Sequence, residues 1–224
     1  MEKEERKQLN LERQSGLIPT DVISDMSVII VGGGAIGSHV AKQLSQIGIR
    51  DMKVFDDDSI EEHNLPNQGF GLGDLYKNKA LALKDRLELD YGVRLDAKPE
   101  RVTEDTPLNS RVVISAVDSM ASRKAIWTAV KSGTDVEMFL DARMGAMYAE
   151  AFAVDMLNAD SIEAYDGTLF DDAEGYQAPC TEKATIFCAA GTAAVLSSLV
   201  GDFASSNLNP GKIEIDWGRK SMTR

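Results

Sequence analysis

The feature that most constrains this chain is a short apolar run that ends in a glycine-rich turn. Residues 27–31 are mostly apolar and β-branched, and Gly32, Gly34 and Gly37 follow in Gly-x-Gly-x-x-Gly spacing before an apolar periodicity over residues 36–47. The run is typical of a buried parallel strand, and the periodicity is typical of a helix. Glycines between a strand and a helix let phosphate groups approach the backbone N–H groups at the helix N-terminus. The turn therefore indicates a nucleotide, without saying how that nucleotide is used.

Strand-like and helix-like segments alternate over most of the chain. Strands are predicted at residues 27–31, 51–55, 94–98, 111–117 and 138–141, and helices at residues 36–47, 77–89 and 120–131. This alternation predicts an α/β fold with a Rossmann-like, doubly wound and mainly parallel sheet. Residues 146–154 and 212–217 have plain strand character, so we expect antiparallel strands at the C-terminal end of that sheet.

The length of 224 residues favours one domain, over residues 1–224, rather than two. Residues 1–25 are polar and are expected to form an N-terminal arm. Residues 158–180 are acidic, contain glycine and lack periodicity, which predicts a long crossover-type connection, and such connections are often functional. An apolar helix of mainly small residues is predicted over residues 181–200.

Charge and composition argue against several classes of function. Asp and Glu outnumber Lys and Arg by 36 to 24, and the formal charge of −12 argues against binding to nucleic acid. Two cysteines are too few for a disulfide framework and indicate a reducing compartment. We expect no apolar run long enough to cross a membrane, and the charged N-terminus does not resemble a signal peptide. A soluble, cytoplasmic protein is therefore expected.

Polar side chains follow the second predicted strand. Asp56 stands at the end of that strand, where a carboxylate can accept hydrogen bonds from ribose hydroxyls, as it would in an NAD-dependent enzyme. Asp58, Asn64 and Gln68 come soon after it, and Lys79 lies on the next predicted helix. Hydride transfer does not require this polar set, whereas a site that holds a triphosphate, magnesium and an attacking carboxylate does.

These segments resemble the ubiquitin-activating-type adenylyltransferase superfamily, the ThiF/MoeB/HesA family. The resemblance covers residues 10 to about 125, and its motifs occur in the family's order. They are Arg13-Gln14, Asp56-x-Asp58, the segment from Asn64 to Gln68, Lys79, and Asp118 followed by Arg123. The resemblance implies a ThiF-type adenylation domain.

The resemblance also implies a role for each matching residue. Asp56 is expected to hold the ribose of ATP, Lys79 to contact the phosphates, and Asp118 to bind or position magnesium. Asn64 and Gln68 are expected to line the region of the α- and β-phosphates.

The partners that the resemblance implies are proteins. Arg13 is expected to reach into the site from the second subunit of a homodimer. The substrate is the C-terminal carboxylate of a ubiquitin-like or sulfur-carrier protein ending in Gly-Gly, and a separate conjugating protein can act after it. The carboxylate attacks the α-phosphate of ATP and pyrophosphate leaves, while cationic groups neutralise the charge that builds up.

Other functions fit parts of the same pattern. An enzyme that adenylates a peptide or a small-molecule carboxylate would have the same site, and a nucleotide-binding scaffold would keep the fold without turnover. NAD-linked reduction is disfavoured, because no arrangement of His, Lys or Tyr for hydride transfer is visible in the sequence.

One position departs from the family pattern. Asn67 stands where the family usually has an arginine, so a phosphate-binding cation is missing. Arg123, Arg143 and Lys77 are candidates to replace it, although Arg143 can also orient a substrate tail or pair with Asp141. One charge-assisted contact is worth about 1.5–3 kcal/mol, so its loss bears on the rate and not on the reaction class.

Many members of this family pass the activated acyl group to a thiol, and the chain has two cysteines. Cys180 is expected at the N-terminus of the apolar helix, where a thiolate is favoured, so it is a candidate nucleophile for thioester formation. Packing of Cys180 beneath the preceding loop is the alternative. Cys188 lies within the helix next to Phe187 and Ala189, and we predict that it is a small buried hydrophobe.

Overall fold

The computed structural model describes residues 9–171 and 184–224. Its helices are α1 (Thr20–Ser24), α2 (Ala35–Ile47), α3 (Lys79–Tyr91), α4 (Met120–Ser132), α5 (Ala159–Asp166) and α6 (Ile186–Ala204). Its strands are β1 (Ser27–Val31), β2 (Asp51–Phe55), β3 (Leu95–Lys98), β4 (Val112–Ser115), β5 (Met138–Gly145), β6 (Tyr148–Asp155), β7 (Gly211–Asp216) and β8 (Ser221–Thr223). Short 3-10 turns lie at Glu12–Gln14, Glu62–Asn64 and Leu72–Asp74.

The strands form one mixed sheet in the order β3-β2-β1-β4-β5-β6-β7-β8. The strands from β3 to β5 in this order are parallel, and β6, β7 and β8 are added antiparallel. Phe55 of β2 and Ser115 of β4 both lie opposite Val31 of β1, so the three strands end side by side. From β1 the chain adds β2 and β3 on one side of the sheet and then β4 and β5 on the other side. This reversal of the strand order at β1 is the switch point of the doubly wound fold. The predicted fold class is confirmed.

Alternate residues of the strands pack against helices on opposite faces of the sheet. On one face, Ile30 belongs to the same buried cluster as Leu44 of α2 and Leu196 of α6. On the other face, Ile29 is buried in a cluster with Trp127 of α4. The helices on both faces therefore hold the strand ends in fixed positions.

Several predicted bounds agree with the structure and others do not. The strands predicted at residues 27–31 and 51–55 are β1 and β2. The strand predicted at residues 138–141 continues to Gly145, because its second half pairs with β6. The apolar helix begins at Ile186 rather than at residue 181, and β8 is a strand that was not predicted.

The predicted connection over residues 158–180 is wrong for its first part, which contains α5. Asn158 begins this helix, because its side-chain oxygen accepts hydrogen bonds from the N–H groups of Asp160 at 3.0 Å and Ser161 at 3.4 Å. Tyr165 anchors the helix to the sheet, since its ring packs edge-on against Phe139 with 5.2 Å between centroids. Asp160, Glu163 and Asp166, which belong to the acidic stretch that suggested a loop, are exposed residues of this capped helix.

The N-terminal arm is also shorter than expected. α1 lies within residues 1–25, and its Ile23 is fully buried. Met26, which precedes β1, is fully buried as well. The chain therefore joins the core from α1 onward.

The expectation that no apolar run has the length of a membrane span is wrong for α6. By length and composition alone, this helix of 19 residues with a mean hydropathy of 1.6 is able to cross a membrane. In the structure it packs against α2, β5 and β6, and its Leu196 and Val200 are fully buried. Core helices of folded domains have the same composition, so the helix alone carries no membrane argument.

The glycine that follows the turn gives a test of this packing. A Cβ on Gly37 of α2 would overlap the carbonyl oxygen of Gly32, so we expect Gly37→Ala to lower the free energy of unfolding by about 3 kcal/mol. Gly201 of α6 is the matched control, since a Cβ there meets nothing within 4 Å. Gly201→Ala should raise the free energy of unfolding by about 0.5–1 kcal/mol, because alanine favours the helix. Urea denaturation measures both values, and equal shifts in the two variants would contradict the packing.

Candidate functional site

The glycine turn lies directly against the loop that follows β4. Gly32 has a φ of +96°, and a Cβ on it would come within 2.6 Å of the carbonyl oxygen of Ala116. Its N–H donates to the carbonyl oxygen of Phe55 at 2.8 Å. Beyond it, Gly34 caps α2, and a Cβ on Gly34 would meet nothing within 4 Å. The first N–H groups of α2 have no partner within the helix, and the open space beside Gly34 fits a phosphate group.

Asp56 fastens the loop after β2 to the glycine turn. Its Oδ2 accepts from the N–H of Gly33 at 2.6 Å, and its Oδ1 accepts from the N–H of Asp58 at 2.9 Å. Burial raises the pKa of Asp56, although the nearby charge of Lys79 and the two N–H groups act in the opposite direction. A carboxylate oxygen with free lone pairs remains a suitable acceptor for a ribose hydroxyl.

Lys79 lies against the same loop, at the first turn of α3. Its Nζ is 2.8 Å from Oδ2 of Asp58, and its own N–H donates to the carbonyl oxygen of Asp58 at 2.9 Å. The side chain of Lys79 is 9% exposed and that of Asp58 is 62% exposed. The structure therefore brings Asp56, Asp58 and Lys79 together. Lys79 is a buried cation, and its acidic partner Asp58 is largely exposed to solvent.

Asn78 is a part of the site to which the sequence motifs assign no role. Its side-chain N–H group donates to the carbonyl oxygens of Asp56 at 2.8 Å and Asp58 at 3.1 Å, and its Oδ1 accepts from the N–H of Leu81 at 3.1 Å. It thus begins α3 and holds the acidic loop against that helix. An asparagine directly before an apolar periodicity is a helix-start signal. The position of Asn78 at the start of α3 could therefore be predicted from the sequence.

Asp118 follows β4 at the same edge of the sheet. Ala116 donates its N–H to the carbonyl oxygen of Val31 at 2.8 Å, which holds the start of this loop beside β1. Asp118 itself is exposed, and its carboxylate has no hydrogen bond or ion pair with the described residues. A free carboxylate at this edge fits the hard oxygen ligands that magnesium prefers.

The segment from Asn64 to Gln68 lies against the first half of α2. Gly69 donates its N–H to the hydroxyl of Ser38 at 2.8 Å, and the carbonyl oxygen of Asn67 is 3.3 Å from Nε2 of His39. Burial lowers the pKa of His39, so the ring is neutral at pH 7 and can donate to that carbonyl.

Within this segment the two predicted phosphate residues differ. Asn64 is used locally, because its Oδ1 accepts from the N–H of Glu61 at 2.9 Å. Gln68 is turned inward, and its Oε1 is buried without a partner among the described residues. The phosphate contacts of both residues stay predictions.

The three cations considered as substitutes at Asn67 are all engaged elsewhere. Lys77 lies 3.6 Å from a carboxylate oxygen of Asp74. Arg123 and Arg143 both pair with Asp141, at 2.6 and 3.0 Å. Of the two roles left open for Arg143, the structure has the pairing with Asp141. The idea that one of these cations replaces the missing arginine is therefore not supported.

Arg13 lies at the far end of α2 from the glycine turn of its own chain. Its neighbour Gln14 donates from Nε2 to the carbonyl oxygen of Gln46 at 3.2 Å, near the C-terminus of that helix. α2 has 13 residues, which corresponds to a length of about 20 Å. Arg13 is exposed, and within one chain the structure does not bring it to the site.

The structure describes one of the two cysteines. Cys180 lies outside the described residues. Cys188 of α6 is fully buried, and burial raises the pKa of its thiol to about 11. The prediction that Cys188 is a small buried hydrophobe is confirmed, and a protonated thiol in this position is not a nucleophile.

A cavity of about 640 Å³ lies between α5 and the strands β6 and β7 rather than at the glycine turn. Phe152, Val154 and Tyr165 supply much of its apolar wall, and Lys212 lies at its border. Of the candidate residues named from the sequence that the structure describes, Arg143 lines it and the others do not.

Comparison with known proteins gives one family. Residues 6–204 match the family model described as the ThiF family. The sulfur carrier protein ThiS adenylyltransferase of Escherichia coli K12 is 31% identical over 108 residues, which are 46% of this chain and 43% of that protein. The ubiquitin-activating enzyme E1 1 of Candida albicans is 35% identical over 121 residues, 45% of this chain and 12% of that protein. The chain thus spans less than half the length of these curated relatives.

Solved structures agree on the fold. PaaA has a TM-score of 0.73 and 17% identity, and the match covers 100% of this chain and 84% of that one. E. coli MccB with ATP has a TM-score of 0.68 and 17% identity, and the match covers 91% of this chain and 64% of that one. Identities this low speak for the fold alone.

Thiol labelling tests the assignment of the cysteines. In a Cys180→Ala variant the remaining thiol is that of Cys188, and we expect it to react with iodoacetamide at pH 8 only as fast as the protein unfolds. If the wild-type protein shows an additional, faster labelling phase, that phase belongs to Cys180. The rate is followed by mass spectrometry with and without urea, and rapid labelling of the folded variant would contradict the burial of Cys188.

Proposed function

The chain belongs to the ThiF family, and from this premise we propose that it is an ATP-dependent adenylyltransferase that activates the C-terminal carboxylate of a ubiquitin-like or sulfur-carrier protein. The observation that carries the proposal is the chain of contacts from Lys79 to Asp58, and from Asp58 through Asp56 to Gly33. It joins a buried cation to the glycine turn at the switch point of the sheet. The curated relatives that match are named for this type of reaction.

The nucleotide is expected to lie across this edge of the sheet. Its phosphates would accept hydrogen bonds from the N-terminus of α2 beside Gly34, and its ribose would lie at Asp56. Lys79 would exchange the carboxylate of Asp58 for a phosphate oxygen, which is possible because Asp58 is 62% exposed. Lys79 then supplies the positive charge that the leaving pyrophosphate requires.

The reaction needs little acid–base help from the protein. A terminal carboxylate is already ionised at neutral pH, so it can attack the α-phosphate directly. What the chain must provide is alignment of the two reactants and neutralisation of the charge that moves to pyrophosphate. Asp118 is the residue that would hold magnesium, which when bound spreads part of that charge.

We place Arg13 in the site of a partner subunit. Arg13 lies about 20 Å, the length of α2, from the glycine turn of its own chain. We therefore infer that it acts on the site of a second copy of the chain. A homodimer with two such sites follows from this proposal.

The remaining partners follow from the same reading. A carrier protein ending in Gly-Gly would deliver the carboxylate, and Cys180 or a separate conjugating protein would receive the acyl group. The net charge of −12 disfavours nucleic acid as a partner. A cytoplasmic enzyme that acts without a membrane is consistent with this substrate.

A second candidate, a nucleotide-binding scaffold, is favoured by one observation. Asn67 removes a cation of the family pattern, and Arg123, Arg143 and Lys77 are all held in ion pairs. Such a protein would bind ATP without forming pyrophosphate. The exchange assay below separates the two functions.

Pyrophosphate exchange into ATP tests the proposal. We expect exchange that requires a small carrier protein ending in Gly-Gly, and a loss of about 10²–10³-fold in Lys79→Ala, because the charge on the phosphates is then uncompensated. Lys77→Ala is the matched control, since this lysine is 48% exposed and pairs with Asp74. We expect it to change the rate by less than about twofold.

One result of this assay would decide against the enzyme, and two others would change the proposal. ATP binding without exchange, with every carrier tried, would support the scaffold. Exchange that responds to a peptide or a small carboxylate instead of the carrier would change the substrate class. Equal losses in Lys79→Ala and Lys77→Ala would remove Lys79 from the phosphate site.

Mixing of inactive variants tests the role of Arg13. If Arg13 acts on the partner subunit, a dimer of one Arg13→Ala chain and one Lys79→Ala chain contains one intact site. Random reassociation of equal amounts should then restore about a quarter of the wild-type exchange rate. An Arg13→Ala/Lys79→Ala double variant mixed with wild type supplies the control, because its mixed dimers contain no intact site. A mixture of the single variants that stays inactive would exclude the action in trans.

A further inference from the structure

Arg123 holds the backbone on both sides of Asp118. Its Nη2 donates to the carbonyl oxygen of Val117 at 2.8 Å, and its Nη1 donates to the carbonyl oxygen of Ser119 at 3.4 Å. The N–H of Arg123 also donates to the carbonyl oxygen of Ser119, at 3.2 Å. The carboxylate of Asp118 has no contact of this kind with the described residues, so its position depends on the backbone that Arg123 fixes.

The side chain of Arg123 is itself held in place by contacts with β5. Its Nε donates to Oδ1 of Asp141 at 2.6 Å, and its Nη2 donates to the carbonyl oxygen of Ala142 at 2.9 Å. The side chains of Arg123 and Asp141 are 4% and 0% exposed. Such a guanidinium, surrounded by acceptors, is not available to contact a phosphate.

Stability alone is a poor reason for this arrangement. Taking two charges out of water is expensive, and apolar residues of similar volume often stabilise a core as well as a buried ion pair does. An arginine, however, presents several N–H donors in one rigid plane, and here that plane joins Asp141 to Val117 and Ser119. Lysine in its place has a single flexible ammonium and does not reproduce the geometry.

We propose that Arg123 is a positioning residue that sets the orientation of Asp118 for the metal ion of the reaction. This inference rests on the proposed function, in which Asp118 holds magnesium. Replacing a residue that holds a metal ligand in position typically changes metal affinity by about 10–100-fold.

Arg143 is a matched control for the loss of a buried arginine. Its Nε donates to the other oxygen of the same carboxylate, Oδ2 of Asp141, at 3.0 Å. Its remaining donors go to Thr168, at 2.9 Å from both Nη atoms, and not to the loop of Asp118. Arg123→Lys and Arg143→Lys therefore weaken the same carboxylate's contacts but disturb different segments.

The first readout is the magnesium dependence of pyrophosphate exchange. In Arg123→Lys we expect the magnesium concentration for half-maximal rate to rise about tenfold or more, with part of the rate recovered at saturating magnesium. In Arg143→Lys we expect that concentration to stay unchanged, whatever happens to the maximal rate. A lower maximal rate in Arg123→Lys with an unchanged magnesium requirement would overturn the inference.

The second readout does not need turnover. Electron paramagnetic resonance measures Mn²⁺ affinity in the presence of a non-hydrolysable ATP analogue, and Arg123→Lys should weaken it about tenfold or more while Arg143→Lys does not. Amide hydrogen exchange of the free protein should increase over residues 117–123 in Arg123→Lys and over residues 165–171 in Arg143→Lys. If the wild-type protein binds Mn²⁺ but catalyses no exchange, the proposed function is wrong. The Mn²⁺ affinities of the two variants then still decide whether Arg123 positions Asp118.

A further variant covers a failure of Arg123→Lys to fold. Arg123→Met removes the guanidinium, and the buried carboxylate of Asp141 is not left unpaired because it keeps its ion pair with Arg143 at 3.0 Å. We expect the same loss of Mn²⁺ affinity as in Arg123→Lys. Any folded variant without the Arg123 guanidinium that binds Mn²⁺ as tightly as wild type would overturn the inference.

Discussion

The candidate site depends on a close approach of backbone to backbone at Gly32. This residue has a φ of +96°, and a Cβ on it would lie 2.6 Å from the carbonyl oxygen of Ala116. With no side chain between them, the loop after β4 lies directly on the turn after β1. The loop after β2 joins the same edge, since Asp56 accepts from the N–H of Gly33. The gathering of charged residues at this edge thus follows from the lack of side chains in the turn.

The parallel half of the sheet could be predicted well from the sequence, whereas α5 could not. β1 is a short, mostly apolar run that ends at a glycine, and β2 alternates charged and apolar residues before the acidic segment, so their limits are visible locally. α5 has acidic residues along most of its length, and the contacts that define it involve other elements. Tyr165 stacks edge-on against Trp127 with 4.7 Å between centroids, and Trp127 comes from α4. A sequence pattern does not contain that contact.

The same distinction applies within the site. Asp56 is predicted because it follows a strand, a position that is readable from neighbouring residues, whereas Lys79 is predicted from its spacing in the family pattern. The expectation that Arg123 or Arg143 replaces a missing cation was wrong because both pair with Asp141, which is 18 and 2 residues away along the chain. The pair of Arg143 with Asp141 is one of the two roles that the sequence left open, whereas the pair of Arg123 with Asp141 depends on the packing of α4 against β5 and is not visible in a local pattern.

Asp141 joins the two halves of the sheet in a way that apolar packing does not. β5 pairs in parallel with β4 and antiparallel with β6, so the sheet changes direction at this strand. Through Arg123, the carboxylate fixes the loop of Asp118, and through Arg143 it fixes Thr168, which leads toward residues 172–183. Apolar attraction has no preferred direction, whereas charged hydrogen bonds weaken steeply with angle and distance. One buried carboxylate therefore holds the edge of the sheet beside the glycine turn and Thr168 after α5 in a defined relation.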